Sequence, residues 1–226
     1  MSKQDEKKSP LDVLEPAGLG TEDQGWQARK SAQTRVWILE AAIDCLGEVG
    51  YAGTTTQLIA RRADISRGAM LHHYATKADL IAGVIEYTFF QRMKQLSAQV
   101  ADLSEAERVE EQAGLELLWQ SMQGREYTAY LELLVASRTD KELKAIFAPK
   151  ARRFDNMWRE EILKMFPEWR DKQDRLELAI DFSHSVMEGL LVNRGAWDKS
   201  RRQAVRQLLN TTIKYFRDGE IEPRNG

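Results

Sequence analysis

Cysteine, proline and long apolar runs are scarce in this sequence, and each scarcity rules something out. Among 226 residues the only cysteine is Cys45, so no disulfide can form within the chain. A disulfide-stapled fold is excluded, and with no secretory signal pattern at the start the expected compartment is the reducing cytoplasm. No apolar run approaches the roughly 18 residues that a spanning helix requires, so no membrane partner is expected. There are only five prolines, and β-branched alternation is rare, which leaves little material for a sheet and points to an all-α fold. Nucleophile-elbow, glycine-rich phosphate-loop and HExxH patterns are lacking too, so neither an enzyme, a cofactor nor a metal site is expected.

Charge of one sign is also lacking overall, with a formal net charge of −2. The distribution is uneven. Residues 29–77 hold Arg29, Lys30, Arg35, Arg61, Arg62, Arg67 and Lys77 against Glu40, Asp44, Glu48 and Asp64, which leaves this stretch basic and the remainder acidic. A small basic module on an acidic body suits a protein that meets phosphate with one end only.

The present residues organise themselves by helical period. Residues 1–28, with Pro10, Pro16, Gly18, Gly20 and Gly25 among mixed charges, sustain no apolar period and read as a flexible leader. A first helix is expected over 31–49, where Val36, Leu39, Ile43 and Leu46 recur at steps of three and four; Gly50 is its stop signal. Thr54, Thr55 and Thr56 offer hydroxyl caps for a short helix to Arg62, with Ile59, Ala60 and Ala63 inward. Residues 63–65 leave room only for a tight turn. Ser66 caps a third helix through Tyr74, and Thr76 and Asp79 are spaced as a capping box for a long helix to about Val100. Further helices are expected near 104–122, 126–138, 140–166, 172–194 and 200–217, with Pro149 kinking or breaking the 140–166 segment.

Two short helices joined by a three-residue turn and backed by a longer one form a module suited to reading DNA. The second short helix has to fit a groove about 12 Å wide, with small residues where backbone approaches DNA. Ser66-Arg67-Gly68-Ala69 meets this need, followed one turn later by Leu71, His72 and His73, while Ile65, Met70 and Tyr74 would hold the helix in place. The hydroxyls of Thr55 and Thr56 and the helix start at Lys77 are natural phosphate donors, since free N–H groups and the helix dipole favour anions there.

The stretch from Gly50-Tyr51-Ala52-Gly53-Thr54-Thr55-Thr56-Gln57 through Ile65-Ser66-Arg67-Gly68-Ala69-Met70-Leu71-His72-His73-Tyr74 to Lys77-Ala78-Asp79-Leu80 resembles the DNA-binding signature of the tetracycline-repressor (TetR) family. The resemblance covers about residues 31–85. It implies base or phosphate contacts from Thr56, Gln57, Arg67, Gly68, Ala69, Leu71, His72, His73 and Lys77. Asp64 stands where that turn usually has glycine, and Leu71 replaces a usual tyrosine and its phosphate-binding hydroxyl. It further implies three regions: the leader (1–28), a helix-turn-helix domain (29–77) and a helical ligand-binding and dimerisation domain (78–226).

In that body Trp119, Met122, Tyr127, Tyr130, Phe147, Met157, Trp158, Phe182 and Met187 form an aromatic and methionine-rich set. Singly each reads as core; together they are expected to line a pocket for an apolar or amphipathic effector. Arg138, Arg152 and Arg153 read as solvated cations, and Asp181, His184 and Glu188 as a satisfied polar cluster. Two stripes, Ile180, Ser183, Met187, Leu190 and Arg194, then Val205, Leu208, Thr212, Ile213 and Phe216, are consistent with intrachain core; the resemblance implies instead a homodimer through the two C-terminal helices. The expected function is a ligand-responsive transcriptional regulator that acts as a repressor on a palindromic double-stranded DNA operator. The alternatives are an activator of the same fold, or a small-molecule-binding or enzymatic bundle.

Overall fold

A computed structural model describes residues 14–19, 25–104, 113–166 and 169–222. The leader is expected to be flexible, and its residues 1–13 and 20–24 lie outside the described ones. Among the described residues the chain is helical throughout, with no strand. The helices are α1 (Trp26–Gly53), α2 (Thr56–Arg62), α3 (Arg67–His73), α4 (Lys77–Ala101), α5 (Ala113–Ser121), α6 (Arg125–Ala136), α7 (Lys141–Met165), α8 (Gln173–Val192) and α9 (Lys199–Asp218). They divide between two compact units, residues 1–98 with 121–158, and residues 99–120 with 159–226.

In the first unit α1 is the spine. Ile38, Leu39, Ala42, Ile43, Cys45 and Leu46 are buried along it, at the three- and four-residue steps of an amphipathic helix. The helix begins at Trp26, five residues before the expected Ser31, because Ala28, Arg29 and Lys30 are good helix formers and Lys30 reaches over the Trp26 ring one turn back, 5.4 Å from its centroid. Gly50 breaks it with φ 68° and ψ 177°, a conformation that a side chain would strain, and one more turn follows to Gly53. The freed Gly50 carbonyl accepts from both the backbone N–H and the hydroxyl of Thr54, at 3.1 and 2.7 Å.

α1 makes its most extensive packing with α6. One edge of α1 carries Glu40, Asp44 and Glu48, one turn apart each. Arg125 at the start of α6 pairs with Glu40 and with Asp44, the latter at 2.6 Å, while Arg62 at the end of α2 pairs with Glu48 and lies 3.7 Å from Asp44. Three of the four acids of the basic module are thus turned to internal pairing.

α7 runs without a break through Pro149, where a kink or a break is expected. Pro149 removes one donor and would orphan the carbonyl of Ala145, but both residues are exposed, so water can take the freed oxygen.

In the second unit α8 packs against α9. Leu176, Ala179, Ile180, Ser183, Met187 and Leu190 of α8 are buried, as are Leu209, Ile213 and Phe216 of α9. Arg175 closes the end of α9: its guanidinium donates to the Phe216 carbonyl at 2.6 Å, lies over the Phe216 ring, and pairs with Glu222 at 2.7 Å.

Candidate nucleic-acid interface and an interior aromatic box

The helix-turn-helix forms from local signals. Thr55 caps α2, its hydroxyl accepting from the Leu58 N–H at 3.1 Å, and Ser66 caps α3 by accepting from the Ala69 N–H at 3.1 Å. Thr54, the first of the three threonines, is instead fully buried. Between the helices Asp64 takes φ 53°, the only positive φ of a non-glycine among the described residues, so the turn keeps its left-handed step where a glycine is usual. Thr76 and Asp79 close the expected capping box reciprocally: the Thr76 N–H donates to the Asp79 carboxylate at 3.1 Å, and the Asp79 N–H to the Thr76 hydroxyl at 3.0 Å.

α3 is held by Met70, which is 1% exposed, and by Tyr74, whose partly buried hydroxyl has its pKa pushed up to about 12 by desolvation. Its other face is open. Gln57, Ser66, Arg67, Gly68, Leu71 and His72 are exposed, Thr56 and Ala69 half-buried, and Lys77 stands exposed at the start of α4, 4.5 Å over the Tyr51 ring. His73 is turned partly inward; burial, the nearby Arg35 and His72 push its imidazole pKa down. All eleven residues singled out from the sequence therefore lie on α2, α3, their caps or the first residue of α4.

The body's aromatic set separates. Tyr127, Tyr130, Phe147 and Trp158 gather in the first unit with Phe89 and Phe154, which pattern reasoning passed over. Phe89 stacks on Phe154 at 4.3 Å with an angle of 10°, and Tyr130 lies 5.3 Å from Tyr127 and 5.7 Å from Phe147. Met122 is also buried in this unit, and Met157 half-buried. Trp119, Phe182 and Met187 belong to the second unit. There Trp119 faces Arg206 at 4.7 Å, Met187 is core, and Phe182 is 42% exposed.

Within the first group sits a residue that sequence reading missed altogether. Arg92 of α4 is 2% exposed, and its guanidinium carbon lies 4.4 Å from the ring centre of Tyr127, 4.7 Å from Tyr130, 5.0 Å from Phe154 and 5.8 Å from Trp158. Ring faces attract such a cation, by about 2 kcal/mol or more when it is desolvated. The available signal was a cation seven residues after Ile85 and four before Leu96, and so on the apolar face of the helix. Arg138, Arg152 and Arg153 are exposed, as their reading as solvated cations expected. In the second unit Asp181 pairs with Arg159 at 2.8 Å, and a ring nitrogen of His184 meets the Ile180 carbonyl at 3.1 Å.

An exposed, capped helix seated on two supporting helices defines the class of helix-turn-helix proteins. Residues 38–84 match the model of the N-terminal domain of bacterial regulatory proteins, tetR family. The chain belongs to that family. It is 33% identical over 118 residues to an uncharacterized HTH-type transcriptional regulator of Mycobacterium tuberculosis, a match that covers 52% of this chain and 60% of that relative. Over 196 residues it is 28% identical to the HTH-type transcriptional regulator CymR of Pseudomonas putida, covering 85% of this chain and 93% of CymR. The fold is shared with a transcriptional regulator from Saccharomonospora viridis solved in complex with choline, at a TM-score of 0.60 and 19% identity, covering 81% and 97% of the two chains.

Proposed function

We propose that the chain is a dimeric, ligand-responsive regulator of transcription that binds double-stranded DNA and acts as a repressor. The observation that carries the reading is the exposed face of α3 and its surroundings: Arg67, Leu71 and His72 are open to solvent on a helix whose opposite side is anchored by Met70, and Gln57 of α2 and Lys77 at the start of α4 are exposed as well. Arg67 and Gln57 read base edges, and the caps and Lys77 take phosphate. The division into leader, reading domain (29–77) and effector and dimerisation domain (78–226) is part of this proposal, as is a cytoplasmic location; no helix among the described residues is long and apolar enough to cross a membrane.

Support for the dimer comes from the second unit. Ile180, Ser183, Met187 and Leu190 are already buried within one chain, so a copy would meet a different face: Leu178, Phe182 and Val192 of α8, and Leu208 and Tyr215 of α9, which are exposed. A side chain at Gly189 would meet nothing of its own chain. Two heads about 34 Å apart would then enter successive major grooves of a palindromic operator. The effector site is placed at the aromatic group of the first unit, and the structural neighbour that holds choline is consistent with a small-molecule ligand for this fold.

The test begins with selection of bound sequences from random duplexes, followed by a gel shift. Gln57→Ala with Arg67→Ala is expected to weaken binding about a hundredfold or more while thermal stability stays unchanged. Unchanged affinity sinks the reading face. A reporter in a deletion strain separates repression, with output rising on deletion, from activation.

A further inference from the structure

We infer that the aromatic box between α4, α6 and α7 is the acid-recognising end of the effector site, and that its ligand is an organic carboxylate with an apolar body. The inference rests on the proposed ligand response and gives that ligand a chemical class. Arg92 is 2% exposed, and its Nε has no hydrogen-bond partner. One turn earlier Thr88 is 1% exposed, and its hydroxyl lacks a partner too. Residues four apart lie one above the other on a helix, so two orphaned donors share one face of α4. Buried polar groups are ordinarily satisfied, and a pair left open at one place marks a missing acceptor.

No side chain or carbonyl among the described residues accepts from the Arg92 Nε–H or pairs with the Thr88 hydroxyl. Glu86 of α4 is paired with Lys150, and Glu126 of α6 lies 3.3 Å from Arg125. The four ring faces around Arg92 attract its charge but leave its Nε–H without an acceptor. A carboxylate does both: it neutralises the guanidinium, matches the planar fork with two parallel bonds, and has a lone pair left for the Thr88 hydroxyl. The rings provide an apolar lining for the rest of the molecule. A cationic ligand is disfavoured, because Arg92 already occupies the place over the ring faces that an ammonium group would take.

A route of entry adjoins the box. A cavity of about 440 Å³ is lined by Glu86, Phe89, Pro149, Lys150 and Arg153, with the turn at residues 14–17 on one side. Phe89 belongs to both places: it lines this cavity and stacks on Phe154 of the box. A rotamer change at Phe89 would join the two.

Calorimetric titration of the full chain with benzoate, phenylacetate and octanoate, and with their neutral amides and choline, tests the assignment. At least one carboxylate is expected to bind about tenfold or more tightly than its amide, and choline not to compete. Arg92→Met should reduce carboxylate binding to the level of the amide, and Arg92→Lys, which keeps the charge without the fork, should fall between. Without ligand, Arg92→Met should hold or raise Tm, since an apolar side chain of similar length keeps the packing against the rings and removes a buried cation that no carboxylate pairs. A lowered Tm together with carboxylate binding that is the same in wild type and Arg92→Met would show that Arg92 only ties the rings together, and would overturn the inference. Amides that bind as well as carboxylates, or a panel in which no carboxylate binds, overturn it equally. DNA binding by the ligand-free protein is measured separately. Arg92-dependent carboxylate binding without any DNA binding defeats the regulator reading and leaves the box assignment standing; release from DNA by neutral ligands alone does the reverse.

Discussion

The reading head and the aromatic box differ in how far apart their parts lie along the chain. The features that shape the helix-turn-helix are local: caps three residues from their donors, a turn of three residues, a capping box spanning 76–79. The box draws Arg92 from α4, Tyr127 and Tyr130 from α6, and Phe154 and Trp158 from α7. The head leaves its polar groups open on the surface, whereas the box hides a charge. Exposed chemistry on a locally specified scaffold tolerates substitution; buried chemistry assembled from distant helices is tied to the core that surrounds it.

The largest expected effect probes the buried side. Phe154→Ala removes a ring stacked on Phe89 and facing Arg92, and should lower the unfolding free energy by about 3 kcal/mol or more in urea titrations. A loss no larger than that of an exposed head residue would erase the distinction. Next comes the turn: Asp64→Val puts a β-branched residue at φ 53° and should cost about 1–2 kcal/mol, while Asp64→Gly should be neutral or mildly stabilising in thermal unfolding. Equal effects from the two would mean that the positive φ is unimportant.

Leu71→Tyr is expected to leave stability within about 0.5 kcal/mol, because Leu71 is 44% exposed. It should nevertheless steepen the dependence of log affinity on log salt by about one unit, the mark of a regained phosphate contact. An unchanged slope would place position 71 away from the backbone of DNA. The smallest effect concerns His73, whose pKa is held below its ordinary value by burial, Arg35 and His72. On acidification the unfolded chain takes up this proton first, so the contribution to stability is complete above about pH 6.5 and is lost as pH falls through the lower folded value. His73→Gln should therefore flatten the decline in Tm between neutral and mildly acid pH; an identical decline would remove His73 as its source.

Much of the head was legible because its physics is short-ranged. Ser66, Thr76 and Asp79 take the capping roles that their spacing announced, and Asp64 absorbs the step usually given to glycine. At Gly50 the expected stop is a kink followed by one more turn, because Thr54 satisfies the freed carbonyl. In the body the helices were legible from their period, but which aromatic residues meet was not. Trp119 and Tyr127, eight residues apart, fall in different units, while Phe89 and Phe154, sixty-five apart, are stacked.

The sequence by itself determined the helices, their caps and the open reading face, since each depends on hydrogen bonds and side-chain spacing within a few residues. Only the tertiary structure decided that α7 continues through an exposed Pro149, that the Ile180–Leu190 stripe is spent inside its own chain, and that four rings close over Arg92. Those outcomes depend on which helix faces meet, and helical period fixes the face of one helix without naming the helix that will cover it.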